Sequence, residues 1–134
     1  MGGIEGRRVL VVEDDVVVAL VAEEMLLDLG AVVVGPAHDV ATARALVARE
    51  AVDAAVLDVN LGRERSDAVA EDLRARAIPF VIATGTDGDW GADAVVVEKP
   101  YSTERLARAL AQALAARDAD PDAAPASTAG RAPA

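Results

Sequence analysis

A chain of 134 residues, 53% hydrophobic and without cysteine, is sized for one domain with its own core, and it can form neither a disulfide framework nor a thiolate metal site. The formal net charge of −10 excludes a basic face for nucleic acid and disfavours docking on anionic lipid. No apolar run reaches membrane-span length and the N-terminus lacks a signal pattern, so a soluble cytoplasmic protein is expected.

Residues 1–6 read as an N-terminal arm, and Ile4-Glu5-Gly6-Arg7 also matches a protease-tag site. Val9–Val12 is a short aliphatic run of the kind that forms a strand buried on both faces. A helical stripe follows at Val18, Val21, Ala22, Met25, Leu26 and Leu29, with Asp15 as N-cap and Gly30 as the stop. Val32–Val34 is the second strand, and His38, the lone histidine, takes a surface or capping role before a helix at Val40–Val47. Ala54–Leu57 is the third strand and Ala68–Ala75 the third helix.

Phe80–Ala83 is the fourth strand. Only nine residues then separate Thr84 from Ala94, among them Gly85, Gly88 and Gly91, which is too short and glycine-rich for a full crossover helix. Ala94–Val97 is the fifth strand, followed by a helix through Leu106–Leu114 with Ser102 or Thr103 as N-cap and Glu104 in its first turn. From Asp118 to Ala134 the composition turns to Ala, Pro, Asp, Ser and Thr without apolar periodicity, which reads as a disordered tail. The alternation predicts an α/β fold: a doubly wound five-stranded parallel sheet over 7–117, with a shortened or missing fourth helix.

In such a sheet a ligand sits beyond the carboxyl ends of the strands. The first strand ends in Glu13-Asp14-Asp15, the third in Asp58 with Asn60 two residues on, the fourth in Thr84-Gly85, and the fifth in Lys99-Pro100. Lys99 is the only lysine among thirteen basic residues, a compact ammonium where every other cation is a guanidinium. Two carboxylates about 4 Å apart repel by roughly 4 kcal/mol at an effective dielectric of 20. A hard divalent cation offsets that, and Mg²⁺ suits one or two carboxylates with water and phosphate oxygens. Asp14 and Asp58 are expected to ligate directly, Glu13 through water, and a backbone carbonyl near Asn60 to complete the set. With Asp58 as phosphoryl acceptor, Lys99, the Thr84 hydroxyl and the Gly85 amide are placed to take the phosphoryl oxygens.

Val-Leu-Val-Val-Glu-Asp-Asp, Asp58-Val59-Asn60-Leu61, Ala83-Thr84-Gly85 and Glu98-Lys99-Pro100-Tyr101 together resemble the bacterial response-regulator receiver domain, in that family's order and across 7–117. The resemblance implies a flavodoxin-like receiver fold and a phosphoacceptor at Asp58. It implies Mg²⁺ at Glu13, Asp14 and Asp58, and phosphate contacts from Thr84 and Lys99. Phosphate would come from a sensor histidine kinase or a phosphotransfer protein. Pro79-Phe80-Val81-Ile82-Ala83-Thr84-Gly85 and the short fourth crossover look like the FAT GUY receivers, often single-domain proteins paired with kinases of the HWE type. Ile82 stands where that subgroup prefers Phe, and Thr86 where an aromatic is usual.

Ordinary receivers carry a Tyr or Phe switch three residues before the lysine. This chain has Val96 there, so the signal is expected to be carried by ordering of the Gly85–Gly91 loop. Trp90 reads equally as a partner anchor or a lid on the core. Tyr101 is expected to pack on the last helix, and Arg63 and Arg65 to be solvated. The sequence leaves homodimerisation open. Two other classes remain beside the receiver. One is a Mg²⁺-dependent phosphohydrolase with an aspartyl-phosphate intermediate, although such enzymes place the nucleophile after the first strand. The other is a flavodoxin-like nucleotide binder, which needs a phosphate-cradling loop where this chain has carboxylates.

Overall fold

The computed structural model describes residues 4–61, 64–85 and 95–119. β1 (Arg8–Val12) leads through α1 (Val16–Asp28) to β2 (Val32–Ala37), and α2 (Val40–Arg49) leads to β3 (Ala54–Asp58). β4 (Asn60–Leu61) and β5 (Glu64–Arg65) form a small antiparallel pair before α3 (Asp67–Ala75). β6 (Phe80–Thr84), β7 (Val95–Glu98) and α4 (Thr103–Ala119) follow.

The main sheet has five strands in the order β2-β1-β3-β6-β7, all paired in parallel. The α/β expectation therefore holds. Successive residues of a strand point to opposite faces. Val9 and Val11 accordingly pack with Ala22 and Leu26 of α1 and Leu106 and Leu110 of α4. Leu10 and Val12 pack on the other side with Ala43 and Val47 of α2 and Val69 and Leu73 of α3. Burying each such Val or Leu is worth roughly 1.5–3 kcal/mol. Helices on both faces explain why the strands read as unbroken aliphatic runs rather than alternating ones.

β2 lies on one side of β1 and β3 on the other, so the winding reverses between β1 and β3. A reversal of this kind opens a crevice at the carboxyl ends of the two strands. The helix ends are set locally. Asp15 Oδ1 accepts from the backbone N–H groups of Val17 and Val18 at 2.9 and 3.1 Å, and Gly30 takes φ +83° where α1 stops. Ser102 caps α4 by accepting from the Arg105 N–H at 3.1 Å.

Several details differ from the sequence reading. Val21, placed on the buried stripe of α1, is 44% exposed, whereas Ala19 is buried. Nearly every position of this helix is apolar, so its stripe does not single out a face. Ile4 of the N-terminal arm is buried among Leu26, Ala31 and Leu114, and the Gly6 N–H donates to the Gly30 carbonyl at 2.9 Å. The last helix continues to Ala119, past the expected end of the domain at residue 117. The fourth connection (86–94), with Thr86, Trp90 and most of the Gly85–Gly91 loop, lies outside the described residues, as do Arg63 and the tail from residue 120. Four helices stand among the described residues, consistent with a shortened fourth crossover. None of them is long and apolar enough to cross a membrane.

Candidate functional site

The register brings the charged groups together. Val12 of β1 pairs with Leu57 of β3, so Glu13 and Asp58, the next residues, end adjacent strands side by side. Asp58 in turn pairs with Ala83, setting Thr84 at the following strand end, and Thr84 pairs with Glu98. The Lys99 N–H donates to the Thr84 carbonyl at 2.8 Å, fixing the start of the lysine side chain at the rim. The Lys99–Pro100 peptide is cis.

Carboxylate oxygens of Glu13, Asp14 and Asp58 all lie within 4.8 Å of one another. Lys99 Nζ stands 2.8 Å from Glu13 Oε1 and 3.2 Å from Asp58 Oδ1. Glu13 is only 4% exposed and Asp58 6%, whereas Asp14 faces solvent. Glu13 Oε2 also accepts from the Asp15 N–H at 3.2 Å. Thr84 is buried at the end of β6, and a side chain added at Gly85 would meet nothing within 4 Å. Asn60 pairs through its backbone with Arg65 in the β4–β5 hairpin.

One ammonium serves two buried carboxylates, with a third at the mouth. Burial alone raises the Glu13 carboxyl, and Asp58 raises it further; Lys99 and the Asp15 amide oppose this, yet Glu13 is held at about 7. Burial would lower the Lys99 ammonium, but the hydrogen bond to Glu13 and the charge of Asp58 outweigh it and hold it above the usual range. Tyr101, largely buried beside the cluster, is pushed up to about 12 by burial and by the Glu13 charge. Three hard oxygen donors converging from two strand ends form a donor set that fits Mg²⁺.

Sequence reasoning thus located Glu13, Asp14, Asp58 and Lys99, and the structure brings all four to one rim. The Glu13 carboxylate is held by Lys99 and the Asp15 amide. Sequence reasoning missed the tie from His38, whose Nδ1 lies 2.9 Å from the Glu13 carbonyl oxygen. A contact across 25 positions carries no local signal.

No family model matches the sequence, and no significant match is found among curated proteins. Solved structures do match. SdrG from Sphingomonas melonis Fr1 is 41% identical, with 84% of this chain and 98% of that one covered at a TM-score of 0.73. A response regulator receiver protein from Sinorhizobium medicae WSM419 is 25% identical over 86% of this chain and 99% of its own, at a TM-score of 0.74. The REC domain of the PhyR response regulator from Erythrobacter litoralis is 26% identical over 84% of this chain and 93% of its own, at a TM-score of 0.73. Sheet order, carboxylate rim and these likenesses agree, and the chain belongs to the response-regulator receiver family.

Proposed function

We propose that this receiver accepts a phosphoryl group on Asp58 in a Mg²⁺-dependent reaction and passes the signal on by protein–protein contact. The observation that carries the reading is the meeting of Glu13, Asp14 and Asp58 within 4.8 Å, with Lys99 on two of them. Glu13, Asp14 and Asp58, with the carbonyl near Asn60, would hold the ion. When bound, Mg²⁺ neutralises the carboxylates and the phosphoryl oxygens.

The protein's own groups perform the rest. An Asp58 carboxylate oxygen attacks the donor phosphorus and an O–P bond forms. The bond from phosphorus to the donor, a histidine nitrogen in a sensor kinase, breaks, and its electron pair stays on that nitrogen. Lys99 sits close enough to Asp58 to transfer its hydrogen bond to a phosphoryl oxygen, and the Thr84 hydroxyl and Gly85 amide lie at the neighbouring strand end. The same groups bear on loss of the phosphoryl group to water. The likeness to receiver domains favours a signalling protein over a turnover enzyme.

The donor's route is also supported. α1 begins two residues after Asp14 and exposes Val16, Val17 and Leu20, while its charged residues, Glu23, Glu24 and Asp28, are all acidic. A protein reaching Asp58 over this face would be an apolar helical surface with basic flanks, which a sensor histidine kinase or phosphotransfer protein could supply. The resemblance to the FAT GUY subgroup favours an HWE-type kinase.

Incubation of the chain with acetyl phosphate tests the reading. Wild type with Mg²⁺ should gain one phosphoryl group by intact mass, labile to hydroxylamine; Asp58→Asn, or wild type with chelator, should gain none. An adduct that survives in Asp58→Asn ends the assignment.

A further inference from the structure

The end of β2 and the residue after it hold both backbone polar groups of Glu13. The Glu13 N–H donates to the Ala37 carbonyl at 2.9 Å, and the Glu13 carbonyl accepts from His38 Nδ1 at 2.9 Å. A carbonyl only accepts, so Nδ1 carries the hydrogen in this bond. Both bonds act on the turn between β1 and α1 that carries Glu13 and Asp14.

A register shift puts the imidazole there. Arg8 pairs with Val32 and Leu10 with Val34, but Val12 pairs with Ala37, so β2 has gained one residue. Such a bulge turns every later side chain to the opposite side. Without it Ala37 would stand where His38 does. Gly35 lies in the bulge at φ +92°, and a Cβ there would come within 2.9 Å of the Ala37 nitrogen. The glycine therefore allows the bulge, the bulge brings His38 opposite Glu13, and His38 holds the turn.

We infer that His38 is a positioning residue for the cation site: its Nδ1–H clamps the Glu13 carbonyl and so sets where the Glu13 and Asp14 carboxylates stand relative to Asp58. The inference rests on the reading of those three carboxylates as the cation site. His38 is exposed and contributes no core packing, so its effect on the site separates from its effect on the fold.

The test is a Mg²⁺ titration of the full-length chain, followed by the backbone amide shifts of residues 13–15, on wild type, His38→Ala and His38→Asn. Asparagine can present a side-chain N–H where Nδ1 stood. His38→Ala should bind Mg²⁺ about tenfold more weakly, the low end for loss of an orienting partner, with its melting temperature near that of wild type. His38→Asn should recover most of that affinity. Wild-type Mg²⁺ affinity in His38→Ala overturns the inference alone, as does His38→Asn that binds no better than His38→Ala. A wild-type chain that binds no Mg²⁺ overturns the cation reading and this inference together.

Discussion

At the amino ends of the strands, Arg8 is matched group by group: its N–H donates to Asp53 at 2.8 Å, Nε to the Ala51 carbonyl at 2.7 Å, and Nη2 to Glu50 at 3.1 Å. At the carboxyl ends, Lys99 faces Glu13 and Asp58, with Asp14 beside them. Both ends bring charge to the edge of the same aliphatic sheet. One end shares it out among partners, and the other gathers three carboxylates, two of them on one ammonium. Proteins hold such crowding of like charge where function needs it, at a cost in stability. The rim thus offers a donor set compatible with a divalent cation, while the base anchors the sheet.

Five substitutions bear on this contrast. The largest effect should come from Lys99→Ala, which removes the ammonium from the transferring phosphoryl group; adduct formation from acetyl phosphate should fall about 100-fold, read by intact mass against time. Next comes a pair of equal chemical changes at opposite ends. Asp58→Asn relieves the rim and should raise metal-free stability by about 1–2 kcal/mol, whereas Asp53→Asn weakens the hold on Arg8 and should lower it by about 0.5–1 kcal/mol. Urea unfolding in chelator reads both signs. Changes of the same sign would mean that the two ends do not differ as described.

A pH effect follows from Glu13. Its carboxyl ionises near 4.5 when unfolded and at about 7 when folded, so in that window the folded chain keeps a proton that the unfolded chain has released. Its contribution to stability is therefore complete below pH 4.5 and is lost as pH rises toward 7. The melting temperature of Glu13→Gln should gain on that of metal-free wild type across this window, and a constant difference would contradict the assignment. The smallest effect belongs to the base. Ala77 takes φ +59° after α3, a left-handed position that suits glycine, so Ala77→Gly should stabilise by about 0.5 kcal/mol and leave adduct formation unchanged.

The contrast also explains what was legible in the sequence. Strands buried on both faces announce themselves as unbroken aliphatic runs, and residues just after them define a rim, so Glu13, Asp14, Asp58, Thr84 and Lys99 group together from the sequence alone. The network on Arg8 had no such marker, because an arginine next to a strand looks like any solvated charge. α1 hid its buried face because it is apolar all round, so Ala19 and Val21 exchanged places. The two-residue strands at 60–61 and 64–65 are too short for any periodicity. His38 met Glu13 through a bulge that alternation along β2 does not reveal. Local pattern gave the elements and their ends; contacts that depend on a one-residue shift needed the fold.

The most direct measurement is the shift in melting temperature on adding Mg²⁺ to wild type and to Asp58→Asn. A cation that binds only the folded chain raises its stability by mass action. We expect wild type to gain several degrees at millimolar Mg²⁺ and Asp58→Asn, already relieved of one charge, to gain little. Equal shifts in the two proteins, or none in wild type, would contradict the claim that these carboxylates converge to hold a divalent ion.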